Sequence, residues 1–148
     1  LLLLEDGQMA RRMNIKDGYA MQLAIKKGYK ILIISGGNSE AVRSRLQKLG
    51  ITDIYLGATN KKEILLKYVA QHHLPWSQVL YMGDDIPDIF PMQMVGMACC
   101  PADAAPEVKS VSHYISPISG GNGCVRDVIE KVLKLNNHWA EDESIASV

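Results

Sequence analysis

The fold of this chain is decided by the stretch Val79-Leu80-Tyr81-Met82-Gly83-Asp84-Asp85-Ile86-Pro87-Asp88. A short apolar run ends there in a glycine, and three carboxylates follow within five positions. Because buried parallel strands are continuously apolar, the run predicts a strand with the acidic group in the loop at its carboxyl end. Ligands of open α/β sheets bind at that edge, and crowded carboxylates repel one another unless a cation joins them. The stretch therefore predicts a site for a hard cation such as Mg²⁺.

The same acidic loop also fits a simpler interpretation, namely a turn that caps the next helix. Aspartate is a good N-cap, and Pro87 suits the first turn of a helix. One aspartate would satisfy a cap, whereas the chain places three at the end of the strand. The number of carboxylates favours the metal site over the cap.

Apolar strands alternate with amphipathic helices on both sides of this stretch. We expect a β-hairpin over residues 1–15 that turns at Glu5-Asp6-Gly7, then a helix capped by Asp17 and ending near Lys27. Strands are predicted at 31–34, 54–56, 79–82, 97–100 and 113–115, and helices at 61–72, 89–94 and 106–110. Another helix ends at Gly50 and carries Val42, Leu46 and Leu49 on one face. The last helix is the clearest, with apolar residues at helical spacing: Val125, Val128, Ile129, Val132 and Leu133. Such alternation predicts an α/β fold with a Rossmann-like, doubly wound parallel sheet. Residues 1–136 form a single domain in this prediction, and residues 137–148 form a loose polar tail.

The composition excludes several classes of protein. The chain has 148 residues, 47% of them hydrophobic, and its 16 basic and 16 acidic side chains leave no net field to attract nucleic acid or an anionic membrane. No apolar run reaches transmembrane length, and Leu1 to Leu4 lack the basic flank of a signal peptide. The three cysteines have no metal-ligand spacing, and their odd number is typical of reduced thiols in a cytoplasmic protein.

Two further polar residues follow other strands of the predicted sheet. Ser35 follows one strand, and Lys61 begins the helix after the next strand. A hydroxyl and an ammonium at the same sheet edge can hold phosphoryl oxygens while a metal offsets their charge. Serine is common in such loops, so Ser35 alone is weak support. Lys61 is stronger evidence for a site, because the helix macrodipole disfavours a cation in the first turn of a helix. Taken alone, however, Lys61 fits a solvated surface lysine equally well.

These motifs, taken in order, resemble those of the haloacid dehalogenase superfamily of phosphatases, and most closely its capless class that hydrolyses 3-deoxy-D-manno-octulosonate 8-phosphate (Kdo 8-phosphate) for lipopolysaccharide synthesis. Each segment is a weak signal alone, but the ordered set covers nearly the whole chain. The matching segments are Asn14-Ile15-Lys16-Asp17-Gly18, Ile33-Ile34-Ser35-Gly36, Gly57-Ala58-Thr59-Asn60-Lys61, Gly83-Asp84-Asp85-Ile86-Pro87-Asp88, Pro101-Ala102-Asp103-Ala104 and Gly120-Gly121-Asn122-Gly123-Cys124-Val125-Arg126.

The resemblance implies a role for each of these residues. In this family an aspartate attacks phosphorus to form an aspartyl-phosphate, and a second aspartate two positions on acts as acid and base. Ser35 and Lys61 would hold the phosphoryl group together with Gly36. Asp84 would bind Mg²⁺, with Asp85 and Asp88 completing the metal shell or positioning Lys61. The roles are catalytic for Ser35, Lys61 and Asp85, and metal-binding for Asp84 and Asp85; Gly121 and Arg126 would approach the substrate of an adjacent subunit.

One element of the family pattern is missing from the printed sequence, namely the first strand with its Asp-x-Asp pair. Leu1 to Gly7 imitates it superficially, but Leu4 stands at the position of the nucleophile. We therefore expect the sequence to begin after that strand, and we expect the 148 residues alone not to turn over substrate.

The resemblance also implies an assembly and a substrate. The hairpin over residues 1–15 matches the element that forms a central barrel in the family's homotetramers, although a hairpin folded onto its own domain is an alternative. The substrate would be a small sugar-acid phosphate. Relatives acting on Kdo 8-phosphate often carry an arginine near position 37, where this chain has Gly37-Asn38. The smaller side chain leaves 2-keto-3-deoxynononate 9-phosphate open as the substrate, and Arg43 and Arg45 are weak candidates for carboxylate partners.

Two hypotheses from other classes are weighed against this enzyme. One is a catalytically silent domain of the same fold that serves assembly, which has no need of Lys61 and the acidic loop together. The other is a phosphate-receiver domain, which would place its acceptor aspartate after a strand in mid-chain. The strand at 31–34 leads into Ser35 instead.

Overall fold

The computed structural model describes residues 2–6 and 9–145, and it confirms the α/β class. The helices are α1 (Ile15–Lys26), α2 (Glu40–Lys48), α3 (Lys61–Gln71), α4 (Ile89–Met94), α5 (Pro106–Val111) and α6 (Cys124–Leu135). The strands are β1 (Leu2–Leu3), β2 (Met9–Ala10), β3 (Leu32–Ser35), β4 (Asp53–Leu56), β5 (Leu80–Met82), β6 (Met97–Cys100) and β7 (Tyr114–Ile115). Short 3₁₀ helices cover Trp76–Gln78 and Ile86–Asp88.

The central strands are parallel and carry helices on both faces. Strand β3 pairs with β4 from Leu32 opposite Asp53 to Ser35 opposite Leu56. Along β3 the side chains alternate, because Leu32 and Ile34 pack on a core built with α3 to α5, whereas Ile33 packs on a core shared by α1, α2 and α6. This alternation is the pleat of a strand buried on both sides, and it confirms the doubly wound arrangement.

The parallel strands form two separate groups rather than one continuous sheet. Strand β3 is hydrogen-bonded to β4, and β5, β6 and β7 form a second sheet in that order, but within the described residues no ladder joins β3 to β5. Both groups pack on one hydrophobic cluster, since Ile34 from β3 and Tyr81 from β5 lie against the same buried residues. The facing edges of β3 and β5 are therefore left without backbone partners from the described chain.

The connections from β3 to α6 are all short, the longest being residues 116–123. This spacing leaves no room for an inserted cap domain, as predicted. No helix in the described ranges is long and apolar enough to cross a membrane.

The hairpin is shorter than predicted. Leu2 pairs antiparallel with Ala10 and Leu3 with Met9, and helix α1 already begins at Ile15, so the expected span of 1–15 was wrong at its end. The predicted Gly7 of the turn, with Leu1 and Gln8, lies outside the described residues. The cap of α1 is Asn14, whose side chain accepts a hydrogen bond from the backbone N–H of Lys16, and not Asp17 as predicted.

The chain after α6 is not loose, which corrects the prediction for the described residues up to 145. Trp139 and Ile145 pack on a hydrophobic cluster with Leu23 of α1 and Leu133 of α6. Lys26 forms an ion pair of 2.5 Å with Asp142. Two apolar side chains within a polar segment therefore hold the end of the described chain against α1 and α6.

This docking gives stability a dependence on pH. Hydrogen bonds from Lys26 and Ser144 lower the pKa of Asp142 from 3.8 to about 2. Since the folded state binds fewer protons at this group than the unfolded state, its stabilisation is complete above pH 3.8 and is lost as the pH falls through about 2. We expect Asp142→Asn to lower the Tm at neutral pH, and the difference from wild type to shrink below pH 3.8.

Thermal melts followed by circular dichroism at a series of pH values test this expectation. The matched control is Glu141→Gln, which removes an exposed neighbouring carboxylate and should give a small difference that does not vary with pH. A constant gap between wild type and Asp142→Asn down to about pH 3 would contradict the expectation.

Candidate active site

Asp88 is the centre of the acidic loop that follows β5. Its side chain is 3% exposed, and its Oδ1 accepts hydrogen bonds of 2.7 Å from Lys61 Nζ and from the Tyr81 hydroxyl. Its Oδ2 accepts the backbone N–H groups of Asp84 at 3.2 Å and Asp85 at 3.3 Å. Burial opposes the charge on Asp88, but the bonds from Lys61 and Tyr81 outweigh it and lower its pKa. Asp88 is thus an ionised group that fixes the loop and positions Lys61.

Lys61 joins the two parallel sheets at their carboxyl edge. It is the first residue of α3, which follows β4, whereas its partner Asp88 follows β5. The Lys61 side chain is only 18% exposed, so the alternative of a solvated surface lysine is wrong. The unfavourable position of a cation at a helix N-terminus is offset by a buried carboxylate. An ammonium held in this way is preorganised to meet an anion.

Gly83 allows Asp88 to lie against the end of β5. A Cβ atom on Gly83 would lie 2.4 Å from Cβ of Asp88 and 2.7 Å from its Cγ. Because these atoms are close to the backbone, a side chain at position 83 would push the whole loop away. The glycine at the end of the apolar run is therefore required by the packing of Asp88.

We expect Gly83→Ala to lower the free energy of unfolding by about 1–3 kcal/mol through this overpacking. Chemical denaturation measures the change. The control is Gly36→Ala, where the nearest atom to a new Cβ would be the Ala58 carbonyl oxygen at 3.7 Å, an ordinary contact, so that the change should stay within about 0.5 kcal/mol. Equal stability of Gly83→Ala and wild type would show that the loop has room that the structure does not contain.

Ser35 ends β3 and belongs to a loop tied to the loop after β4. Its hydroxyl oxygen accepts the backbone N–H of Gly37 at 3.2 Å, and its carbonyl accepts the N–H of Ala58 at 2.9 Å. Gly57 in turn donates its N–H to the carbonyl of Gly37 at 3.1 Å. These bonds hold Ser35 and Gly36 against the loop that follows β4. Lys61 begins α3 at the end of that loop, at the same edge of the sheet. The described geometry thus brings Ser35, Gly36 and Lys61 to one edge, as predicted.

Asp84 and Asp85 present carboxylates of different character. The Asp85 side chain accepts the N–H of Ile86 at 2.8 Å and caps the 3₁₀ helix with Asp88, so the capping interpretation holds for these two residues. Among the described residues, the hydrogen bond recorded for the Asp84 carboxylate comes from its own backbone N–H. Partial burial, and then the charge of Asp88, raise the pKa of Asp84, while Lys61 opposes the shift. Asp84 is a carboxylate that a nearby cation would stabilise.

The donors fit a hard cation such as Mg²⁺, because Asp84 and Asp85 offer adjacent carboxylate oxygens at a sheet edge. They do not complete a coordination shell. Within residues 2–6 and 9–145, no group of three or more His, Cys, Asp or Glu side chains is arranged to hold a metal ion. Asp84 and Asp85 can therefore supply only part of a metal site.

The glycine-rich loop before α6 packs against the segment before α1. Gly121 adopts a φ of 74°, and its carbonyl accepts a hydrogen bond of 3.5 Å from Nδ2 of Asn14. The buried Asp17 accepts the backbone N–H of Arg126 at 2.8 Å, so Asp17 anchors the start of α6 rather than capping its own helix. This loop is placed by contacts between distant parts of the chain.

Arg126, which the family resemblance places near the substrate of an adjacent subunit, makes its described contacts within its own chain. Its Nε lies 3.3 Å from the Glu130 carboxylate, and its guanidinium lies 5.8 Å from the ring centre of Tyr19 and 5.4 Å from that of Trp139. The charge of Arg126 is thus already paired, in contacts that hold the end of the described chain. Tyr81, which sequence reasoning missed, takes part in the site through Asp88.

Comparison with known proteins places this geometry in a family. A model of the haloacid dehalogenase-like hydrolases matches residues 47–126, which is more than half of the chain. The chain belongs to this family. The match begins within α2 and ends in α6, so it contains Lys61 and the whole acidic loop.

Relatives within this hydrolase family are phosphatases of one named substrate. The 3-deoxy-D-manno-octulosonate 8-phosphate phosphatase of Yersinia pestis is 33% identical over 127 residues, covering 86% of this chain and 68% of that protein. Its namesake in Escherichia coli K12 is 32% identical, with the same coverage. The relatives are therefore longer than the printed chain.

Solved structures agree with this relationship. The crystal structure of the Yersinia pestis phosphatase gives a TM-score of 0.88 at 31% identity, over 93% of this chain and 74% of that one. The enzyme of Moraxella catarrhalis, solved with magnesium, phosphate and KDO, gives 0.87 at 30% identity, over 93% and 79%. The capless haloacid dehalogenase-like fold predicted from sequence is confirmed.

Proposed function

We propose that this protein is a Mg²⁺-dependent phosphatase that hydrolyses Kdo 8-phosphate in the synthesis of lipopolysaccharide precursors. The observation that carries the proposal is the buried ion pair of 2.7 Å between Lys61 and Asp88, beside the half-buried carboxylate of Asp84. It lies at the edge of the sheets where α/β proteins bind ligands. The similarity to phosphatases of this substrate gives the site its substrate class.

In this proposal, the residues at the sheet edge share the phosphoryl group between them. The Ser35 hydroxyl and the Gly36 backbone N–H donate hydrogen bonds to its oxygens, and Lys61 supplies a fixed positive charge. Asp84 and Asp85 would hold Mg²⁺, which supplies a charge that offsets the negative oxygens of the ester. Gly121 stays a proposed contact to the sugar, and it lies in the loop tied to Asn14.

We assign the attacking carboxylate to a strand seated between β3 and β5. The two parallel sheets leave these edges without hydrogen-bonded partners in the described chain. A parallel strand in that gap would end beside Ser35 and Asp84, because parallel strands present their carboxyl ends at one edge. An aspartate there would attack phosphorus and form an aspartyl-phosphate, and a second carboxylate would protonate the leaving alkoxide and later activate water.

A homotetramer assembled through the hairpin is part of the proposal. Leu2 is 70% exposed, Leu3 77% and Met9 57%, although these residues form an antiparallel pair. An isolated two-stranded hairpin is marginal in water, and its apolar side chains favour burial against other subunits.

A cytoplasmic location also belongs to the proposal. Cys99, Cys100 and Cys124 are free and buried in the structure. Burial raises the pKa of the Cys99 and Cys124 thiols to about 11, which keeps them protonated and unreactive. Three unpaired thiols are typical of a reducing compartment.

Phosphate release from a panel of phosphomonoesters tests the proposed function on the intact protein. The panel contains Kdo 8-phosphate, 2-keto-3-deoxynononate 9-phosphate and a neutral sugar phosphate, each with Mg²⁺ and with a chelator. We expect Mg²⁺-dependent release with the highest kcat/KM on Kdo 8-phosphate. Preference for the nononate would assign the related sugar-acid substrate instead, and no release from any ester would favour a catalytically silent assembly domain.

A further inference from the structure

A basic groove lies beside the loop that follows β3. It is open to solvent, has a volume of about 470 Å³ and is lined by Arg11, Arg12, Gly120, Gly121 and Asn122. The arginines come from the segment between the hairpin and α1, and the other three residues come from the loop before α6. The groove is therefore formed by two segments that are far apart in sequence.

Arg11 reaches from this groove to the loop that contains Ser35. A Cβ atom on Gly37 would lie 2.2 Å from Nη2 of Arg11 and 2.8 Å from its Cζ, so the guanidinium occupies the space that a side chain at position 37 would take. Gly37 is itself hydrogen-bonded to the Ser35 hydroxyl through its N–H, at 3.2 Å. Arg11 thus lies against the loop that contains the proposed phosphoryl-binding residues Ser35 and Gly36.

A side chain at position 37 would have to displace the Arg11 guanidinium, whereas the backbone there does not require glycine. Gly37 is not among the residues with a left-handed φ, and the three atoms nearest to a Cβ there all belong to Arg11. If Arg11 were shortened, position 37 would accept a side chain. We therefore expect a long cationic side chain at either position to occupy this space.

The charge of Arg11 is not used within the described chain. No described carboxylate forms an ion pair with Arg11 or Arg12, whereas Arg43 and Arg126 both have acidic partners. Two guanidinium groups that line one groove favour an anionic ligand. Guanidinium groups bind carboxylates through paired hydrogen bonds, which gives orientation as well as affinity.

We infer that Arg11 binds the carboxylate of the sugar-acid substrate and that Gly37 makes room for it. This inference rests on the proposed function, because a sugar-acid phosphate carries two anionic groups and Ser35, Gly36 and Lys61 serve the phosphate. Arg11 is then a specificity-determining residue that selects phosphomonoesters with an acid group over neutral ones. Arg11 lies in the segment before α1, and it would supply the positive charge that Gly37 lacks.

The test compares Kdo 8-phosphate with the analogue in which its carboxylate is reduced to an alcohol, using the intact protein. We expect Arg11→Gln to lower the preference for the acid, measured as the ratio of the two kcat/KM values, by roughly 10- to 100-fold, mainly through KM for the acid. The control is Lys30→Gln, which removes an exposed charge at the opposite end of β3 and should keep the ratio. An unchanged ratio in Arg11→Gln would overturn the inference.

An exchange of side chains makes the test independent of a general loss of charge. The double variant Arg11→Ala/Gly37→Arg should recover most of the preference that Arg11→Ala loses, because the guanidinium returns to the same space from the other position. Gly37→Arg alone should behave worse than the double variant, since its side chain meets Arg11. A double variant no better than Arg11→Ala would contradict the exchange.

Binding of free Kdo separates this inference from the proposed function. Calorimetry measures the affinity of wild type and Arg11→Gln for Kdo, which has the carboxylate but no phosphate. Weaker binding by the variant supports the inference even if no ester is hydrolysed, in which case only the proposed function fails. Equal Kd values for wild type and variant overturn the inference whatever the enzyme hydrolyses.

Discussion

Lys61→Met will lower kcat/KM for phosphate release by on the order of 10²- to 10³-fold in the intact protein. The ammonium of Lys61 lies 2.7 Å from Asp88, and the Lys61 side chain is 18% exposed. Its positive charge is therefore fixed in a largely buried position, and methionine does not replace that charge. A fixed cation that meets the transferring group acts more strongly in a site of low dielectric than in water. Steady-state kinetics on Kdo 8-phosphate measures the loss.

The control for this change is the next residue. Lys62→Met removes an exposed lysine from the same helix turn and should change kcat/KM by less than about twofold. Because Lys61→Met leaves the buried Asp88 without its cation, the variant can also lose stability. The double variant Lys61→Met/Asp88→Asn removes both charges, and it should regain stability without regaining activity. Full activity in either variant would exclude Lys61 from the reaction.

Asp84→Asn is expected to lower Mg²⁺-dependent phosphate release by about 10³-fold and to leave the fold intact, because a bound metal supplies several kcal/mol of charge stabilisation. The Asp84 side chain accepts a hydrogen bond from its own backbone N–H, and its raised pKa reflects partial burial and the repulsion of Asp88. Removing its charge should therefore cost little stability. Mg²⁺ titrations of activity and calorimetric Mg²⁺ binding measure the two effects separately.

The control for Asp84 is Glu107→Gln, which removes an exposed carboxylate from the first turn of α5 and should leave the Mg²⁺ requirement as in wild type. Unchanged turnover and Mg²⁺ affinity in Asp84→Asn would remove this residue from the metal site.

The apolar strands could be predicted from sequence almost to the residue, because a short, continuously apolar run such as Leu32 to Ile34 is typical of a strand in a sheet covered on both faces. The helix caps could not. Asn14 and Asp17 are both good caps, and the contact that decides between them joins Asp17 to the N–H of Arg126 in a distant helix. The segment after α6 was misjudged because Trp139 and Ile145 are isolated apolar residues in polar surroundings, and only their partners show that they pack against α1 and α6.

The candidate site shows the same limit. Sequence order placed Ser35, Lys61 and Asp84 at strand ends, and the parallel sheets bring those ends together. Sequence could not show that the Tyr81 hydroxyl donates a hydrogen bond to Asp88, because in the sequence Tyr81 is simply one residue of an apolar strand. It gave no signal for Arg11 either, except that Gly37 leaves a space beside Ser35. Arg126 matched a family motif and remains a proposed substrate contact, and sequence could not show that it also pairs with Glu130.

The site itself is tested most directly by a crystal structure of the intact protein soaked with Mn²⁺ and inorganic phosphate, since Mn²⁺ takes the place of Mg²⁺ and is located by its anomalous scattering. We predict a peak about 2.1 Å from a carboxylate oxygen of Asp84, with the phosphate beside it in contact with Lys61 Nζ and the Ser35 hydroxyl. A metal ion bound elsewhere, or no metal at the carboxyl edge while phosphate is present, would contradict the assignment of this edge as a phosphatase site.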